Sequence, residues 1–235
     1  YLTFKKQLYS QIKNEKFCIG VSGGPDSLAL AFLGKIFSKE FNSKFIALII
    51  DHNLRKQSGT EARKIKKILT KHKIRAKILT WKGKIPKSNI QFNARNIRYF
   101  LLNKECNKLN IKNLVLAHHE GDLIENFFIR LFRGSGLKGL SSLNIKRHSE
   151  DNILNLIRPL INTKKDELIY ISKKVFKFYL TDPSNFNEKF LRTRIRNYLD
   201  KFKLDGLDIN KIKLTLSNLQ RSEERRVGKE CRSRW

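Results

Sequence analysis

The run Ser22-Gly23-Gly24-Pro25-Asp26-Ser27 combines a permissive backbone, two hydroxyls and a carboxylate in a spacing suited to a phosphate chain. Consecutive glycines let the backbone approach an anion closely, and the hydroxyls of Ser22 and Ser27, free N–H groups and a following helix N-terminus all favour negative charge there. A Walker A loop needs a Lys after its last glycine, and none follows here, so the P-loop nucleotidase is excluded at this segment. A plain strand-to-helix turn capped by Ser27 is the simpler alternative, but it needs neither the second glycine nor Asp26.

Three other groups could do chemistry. Asp51 and His52 close an apolar run and face a crevice if that run is a strand, or else form an ordinary strand-end turn. His118, His119, Asp122 and Glu125 are spaced so that His119 to Asp122, and Asp122 to Glu125, each span about one helical turn. With no Cys or third His beside them, the carboxylates suit Mg²⁺ held against phosphates better than zinc; purely structural histidines are the alternative. Finally, Arg130 and Arg133 precede Gly134-Ser135-Gly136, which suggests either a cationic loop that grips a phosphate or flipped base, or a helix C-terminal stop. Arg95 and Arg98 lie one turn apart on a long helical segment, and Arg95 is carried as a substrate-binding candidate.

The elements that must position these groups alternate. Phe17 to Val21, Phe45 to Ile50, Ala76 to Trp81 and Asn113 to Ala117 read as strands; helical spacing marks Leu28 to Phe37, Ser58 to about Lys73 and about Gln91 to Leu109. Ser58 with Glu61 forms a capping-box pattern, and Gly83 and Pro86 mark the loop before the long helix. Continuous apolar runs imply strands covered on both faces, hence an α/β fold with a doubly wound, mostly parallel sheet flanked by helices. Ligands of such sheets bind beyond the strand carboxyl ends, where the Gly-rich loop sits. Further along, Thr163 is positioned to cap a helix to about Lys174, Asp182-Pro183-Ser184-Asn185 reads as a turn, and helices are expected from Leu191 to Phe202 and from Asp208 to Gln220.

The chain has 235 residues, a formal net charge of +29 and 40% apolar residues, which points to a folded domain with a polyanionic partner. No apolar run reaches the roughly 18 residues of a membrane span, no secretory signal is visible, and no basic amphipathic helix carries aromatic anchors, so nucleic acid in the cytoplasm is favoured over a membrane. Three cysteines, without a Cys-x-x-Cys pair, read as ordinary thiols. Residues 221–235 switch from Lys to Arg and lose apolar periodicity; they resemble translated adapter sequence, with a natural basic tail as the alternative. The expected organisation is a catalytic domain over 1–200, a helical linker or the start of a truncated domain over 201–220, and a non-native tail over 221–235.

Ser-Gly-Gly-x-Asp-Ser after the first strand resembles the signature of the N-type ATP pyrophosphatases, or PP-loop superfamily. Within it, Asp51-His52-Asn53-Leu54-Arg55 with Ser58 and Glu61, Ala117 to Asn126, Arg133 to Leu140, Arg158-Pro159-Leu160, Asp182 to Asn185 and the cluster Arg192, Arg194, Arg196 are similar, in order, to the tRNA(Ile)-lysidine synthase family over about residues 16–200. That resemblance implies ATP and Mg²⁺, with free lysine ligated to C2 of the wobble cytidine of a CAU-anticodon isoleucine tRNA through an adenylated intermediate. It implies Asp26, Asp122 and Arg196 as catalytic, with Asp26 and Asp122 on the metal. Ser22, Gly23, Gly24, Pro25, Asp26, Ser27, Asp51, His52 and His118 would hold the nucleotide, and Arg95, Glu125, Arg133, Gly134, Ser135 and Gly136 the other substrates. It also allows a homodimer. Where the family pattern has two consecutive acidic residues, this chain has Gly121 then Asp122. The rivals are a tRNA thiolation enzyme, which in the 2-thiocytidine case carries the paired Cys-x-x-Cys motifs absent here, and a noncatalytic RNA-binding protein on a degenerate ATPase domain, which a broken phosphate loop would favour.

Overall fold

A computed structural model describes residues 1–54, 57–83, 88–140, 144–148, 154–181 and 187–232. Arg55, Pro86 and the expected turn at Asp182 to Asn185 lie outside them. The order is α1 (Leu2–Ile12), β1 (Phe17–Val21), α2 (Pro25–Glu40), β2 (Phe45–Asp51), α3 (Ser58–Lys71), β3 (Ala76–Thr80), α4 (Ile90–Lys108), β4 (Asn113–Val115), α5 (Glu120–Leu131), α6 (Leu137–Leu140), β5 (Lys146–His148), β6 (Asn155–Ile157), α7 (Lys165–Phe176), α8 (Leu191–Leu204) and α9 (Ile209–Arg232).

The chain divides into two compact units, Tyr1–His119 with Ile145–Leu180, and Glu120–Asn144 with Thr181–Trp235. The first holds a sheet of order β3-β2-β1-β4-β6-β5, parallel except for the antiparallel edge strand β5. β1 pairs with β2 through Ile19 opposite Ala47, and with β4 through Ile19 opposite Val115. Because side chains alternate across a strand, Phe17, Ile19, Val21, Ala47 and Ile49 enter one core with α1, α2, α3 and α7, while Cys18 and Leu48 enter a second core with Leu102 and Cys106 of α4. Both faces are covered, which is why the strands read as unbroken apolar runs. Strand order reverses between β1 and β4, and the crevice at that switch point is where such a sheet takes a ligand.

Sequence and structure differ in identifiable places. α3 starts one residue early, with Gln57 at its N-cap in a helical conformation. Ser58 is thus already inside the helix and cannot cap it; its Oγ is buried with no hydrogen-bond partner among the described residues. Thr163 does not cap α7 either: its N–H donates to Leu160 O at 2.8 Å in a turn, and Lys164 stands at the N-cap. The strands β5 and β6, three residues each, were too short to show a period. α9 overruns its expected end at Gln220, since the Arg-, Lys- and Glu-rich residues that follow are good helix formers.

The second unit is helical. α5 presents Leu123 and Ile124 to the interior, α8 buries Ile195 and Leu199, and α9 buries Ile212 and Leu216. Among the described residues, no helix is long and apolar enough to cross a membrane.

Candidate active site

In the first unit the loop after β1 is organised from within. Ser27, only 5% exposed, accepts from the N–H groups of Ser22 and Gly23 at 3.2 Å each, and its hydroxyl donates to Gly24 O at 3.0 Å. Two N–H groups expected to face an anion are therefore satisfied by Ser27. What the loop offers outward is the hydroxyl of the exposed Ser22, which also lies 3.3 Å from Ser27 Oγ, and the first turn of α2, whose amides lack intrahelical acceptors. Pro25 at the first helical position costs nothing there, having no N–H to leave unsatisfied.

Gly23 is fixed by both its conformation and its surroundings. Its φ is +86°, and a Cβ on it would lie 2.4 Å from Ile65 Cδ1 of α3. Gly23→Ala is expected to destabilise the first unit by about 1–3 kcal/mol from overpacking alone. A urea titration checks this, and Ile65→Val, which removes Cδ1, should recover part of the loss in the double variant.

Across the switch point, the segment after β4 brings His119, itself buried, to Asp26: Nε2 to Oδ2 is 3.8 Å. His118 is half-buried beside it in the chain. Asp51, at the end of β2, is 6% exposed; its carboxylate accepts from Asn53 N–H at 3.0 Å and from Thr80 Oγ1 at 3.5 Å. Those bonds give it the strand-end turn role, leaving His52 as the more available member of the pair. Burial first, and then the Arg98 charge, push the His52 imidazole down to about 4, against the opposing pull of Asp51. His52 is thus a neutral ring at physiological pH, and its buried Nδ1 has no hydrogen-bond partner among the described residues. Arg98, not Arg95, is the α4 guanidinium near His52; Arg95 lies 5.1 Å from the centroid of the Tyr99 ring. Both arginines are one turn apart in sequence, so spacing alone could not choose between them.

Since the folded-state value of His52 lies below its ordinary 6.5, its contribution to stability is complete above pH 6.5 and is lost as pH falls toward about 4. The melting temperature should therefore fall through that window, and His52→Gln should flatten the fall. His72, lowered by burial and by Lys35 and Lys71, leaves a residual slope. Thermal melts at a series of pH values check the difference.

The remaining candidates belong to the second unit. Arg192 of α8 is ion-paired with both Asp122 and Glu125 of α5, and Arg196 Nε donates to Glu125 Oε1 at 2.8 Å. Desolvation opposes the Arg192 charge, and the two carboxylates outweigh it, raising its pKa. Arg192 stood in the sequence only as one of a cluster; its i,i+4 spacing to Arg196, matched to the i,i+3 spacing of Asp122 and Glu125, is the signal that pairs them. Glu120 belongs to a separate contact, with Lys213 Nζ of α9 at 2.8 Å. Gly134 has φ +66° and its N–H donates to Leu131 O at 3.0 Å, so it ends α5 as a helix stop. Arg133 is exposed, and Gly136 lines a cleft of about 410 Å³ with Leu137, Lys138, Gly139 and Glu223.

Asp26 is a hard oxygen donor at the mouth of the phosphate loop, with a partly exposed side chain. Among the described residues no three His, Cys, Asp or Glu side chains converge to hold a metal. That donor set fits Mg²⁺, which keeps waters and takes only one or two carboxylates beside phosphate oxygens. Asp122 would have to share its carboxylate with Arg192 to take part.

Comparison with known proteins gives three results. The PP-loop domain family matches residues 3–202. The chain is 43% identical over 188 residues to the tRNA(Ile)-lysidine synthase of Orientia tsutsugamushi, covering 80% of this chain and 42% of that protein; with the Rickettsia bellii enzyme of the same name it shares 41% over 187 residues, 79% of this chain and 43% of the relative. The chain thus spans less than half the length of these curated relatives. Among solved structures, a U34-tRNA thiolase from Methanococcus maripaludis superposes with a TM-score of 0.74 at 19% identity, covering 94% of this chain and 76% of the other, a likeness of fold.

Proposed function

This chain belongs to the PP-loop domain family, and on that premise we propose that it uses ATP to ligate lysine to C2 of the wobble cytidine of a CAU-anticodon isoleucine tRNA. The observation that carries this reading is the 43% identity to a tRNA(Ile)-lysidine synthase along 80% of the chain. The C2 oxygen of the cytidine attacks the α-phosphate of ATP, forming a P–O bond as pyrophosphate leaves. The ε-amine of lysine then attacks C2, the adenylate leaves as AMP, and the amine's proton passes to a carboxylate.

In this scheme the Ser22 hydroxyl and the first turn of α2 receive the ATP phosphates, and Ser27 holds the loop in shape from behind. Asp26, with Asp122 as the second carboxylate, is assigned to Mg²⁺. When bound, that ion offsets the charge that develops on the departing pyrophosphate. His52, a neutral ring, is assigned to the adenosine, where it can both donate and accept. His118 and Asp51 border the same nucleotide, and Asp51 acts by fixing the turn that carries His52. Glu125 and Arg196 are assigned to the lysine step, with Arg133, Gly134, Ser135, Gly136 and Arg95 on the tRNA side.

Mass spectrometry of the wobble nucleoside after incubation with ATP, Mg²⁺, lysine and the CAU-anticodon tRNA tests the reading. A lysine adduct on cytidine is expected, with AMP formed in equal amount. Exchange of the C2 oxygen for sulfur when a sulfur donor is supplied would assign the chain to tRNA thiolation instead.

A further inference from the structure

From Arg63 to Lys73 the exposed positions are Arg63, Lys64, Lys66, Lys67, Thr70, Lys71 and Lys73, with no Asp or Glu anywhere in the stretch. The opposite side of the helix, Ala62, Ile65 and Leu69, is buried in the core, so from Arg63 onward α3 turns outward a side on which Thr70 is the one uncharged residue and every charge is positive. Among the described residues none of these cations has a carboxylate partner. Arg63 and Lys67, and Lys67 and Lys71, repel one another at i,i+4, a spacing that destabilises a helix unless a polyanion covers it.

The end of α7 extends this ridge. The His72 ring meets the Phe176 ring at a centroid distance of 4.7 Å, and Lys64 Nζ lies 4.2 Å from the centroid of Phe178, contacts that bring α3 to the end of α7, where Lys173, Lys174 and Lys177 are exposed. Asp166 and Glu167 occupy the other end of α7, in its first turn. The helix that carries the ridge rests its buried side on the phosphate loop: Ile65 packs on Gly23, and Leu180, just beyond α7, donates its N–H to Gly23 O at 2.8 Å.

We propose that the ridge formed by α3 and the end of α7 is a docking surface for the phosphate backbone of RNA, holding the tRNA strand beside the loop that takes ATP. The partner's identity rests on the tRNA reading above. Side chains one turn apart stand about 5–6 Å from each other, comparable with the step between successive phosphates of an RNA strand, and the helical stretch from Arg63 to Lys71 runs about 12 Å. An anionic membrane fits less well, because the exposed side of α3 has no apolar residue to insert.

The test compares two triple variants carrying the same change of charge: Lys66→Gln, Lys67→Gln, Lys71→Gln on the ridge, and Lys104→Gln, Lys108→Gln, Lys112→Gln at and beyond the end of α4, the helix of the second core. Binding of CAU-anticodon tRNA is followed by fluorescence anisotropy across a salt series, with circular dichroism to establish that each variant is folded. The ridge variant should bind about tenfold more weakly at physiological salt, and its slope of log K against log salt should drop by about 0.7–0.9 for each phosphate that the ridge no longer neutralises. The α4 variant should stay within about twofold of the parent. A parent chain that does not bind tRNA even at low salt overturns both this surface and the tRNA reading. If the parent binds and the two variants weaken equally, the surface alone is wrong. Ridge-dependent capture by phosphatidylglycerol vesicles, with tRNA binding untouched, would reassign the surface to a membrane.

Discussion

Asp26→Ala is expected to abolish ATP-dependent pyrophosphate release while leaving the first unit folded. Its side chain is partly exposed at the start of α2 rather than in either core, so no packing is lost. The structural cost includes one favourable charge at a helix N-terminus, about 0.3–1 kcal/mol, and the contact with His119. The functional cost should exceed the ~10- to 100-fold penalty that removal of even an outer-shell partner imposes on a metal site. Release of pyrophosphate from labelled ATP, measured alongside a melting curve, separates the two. Near-parental turnover in a folded variant would remove the phosphate-loop assignment.

The second large effect distinguishes the carboxylates of α5. Asp122→Asn should lower lysidine formation at least tenfold more than Glu120→Gln, because Asp122 is paired with Arg192 at the group assigned to chemistry, whereas Glu120 holds α9 through Lys213. The loss in Glu120→Gln should appear in the melting temperature of the second unit instead. Gly121 is in the first turn of α5 and is not among the glycines with positive φ, so Gly121→Asp meets no backbone strain and adds a carboxylate where a helix favours one. It should retain activity and reduce the Mg²⁺ concentration needed for half-maximal rate. Equal activity losses from Glu120→Gln and Asp122→Asn would refute the separation.

Much of this arrangement was legible in the sequence, and the part that was not has a physical reason. β1 and β2 could be read because burial on both faces forces continuous apolar runs, and the glycines and serines of the loop after β1 because few other residues suit a phosphate. The role of Ser27 was only half legible: its presence was plain, but that it satisfies the loop's own N–H groups depends on the three-dimensional turn. Local pattern misled at Ser58 and Thr163, where a good capping residue sat one position from the true N-cap and the surrounding chain decided the boundary. The choice of Arg98 over Arg95 depends on an interaction with His52, an element distant in sequence, which no local spacing encodes; the spacing of Arg192 and Arg196 matches that of Asp122 and Glu125, but which carboxylate each arginine takes is decided only where α5 and α8 meet.

The ion pairs between α5 and α8 also set a timetable for biosynthesis. Glu125 is buried in the finished protein, and Arg192, one of its two guanidinium partners, follows it by 67 residues. On a ribosome adding about 5–20 residues per second, Glu125 is made roughly 3 to 13 s before that arginine. During that interval the sheet can close through β6, but α5 must remain hydrated or be shielded by a chaperone. A pause in translation between Leu180 and Leu191 would prolong the vulnerable state without touching any residue of the mature site.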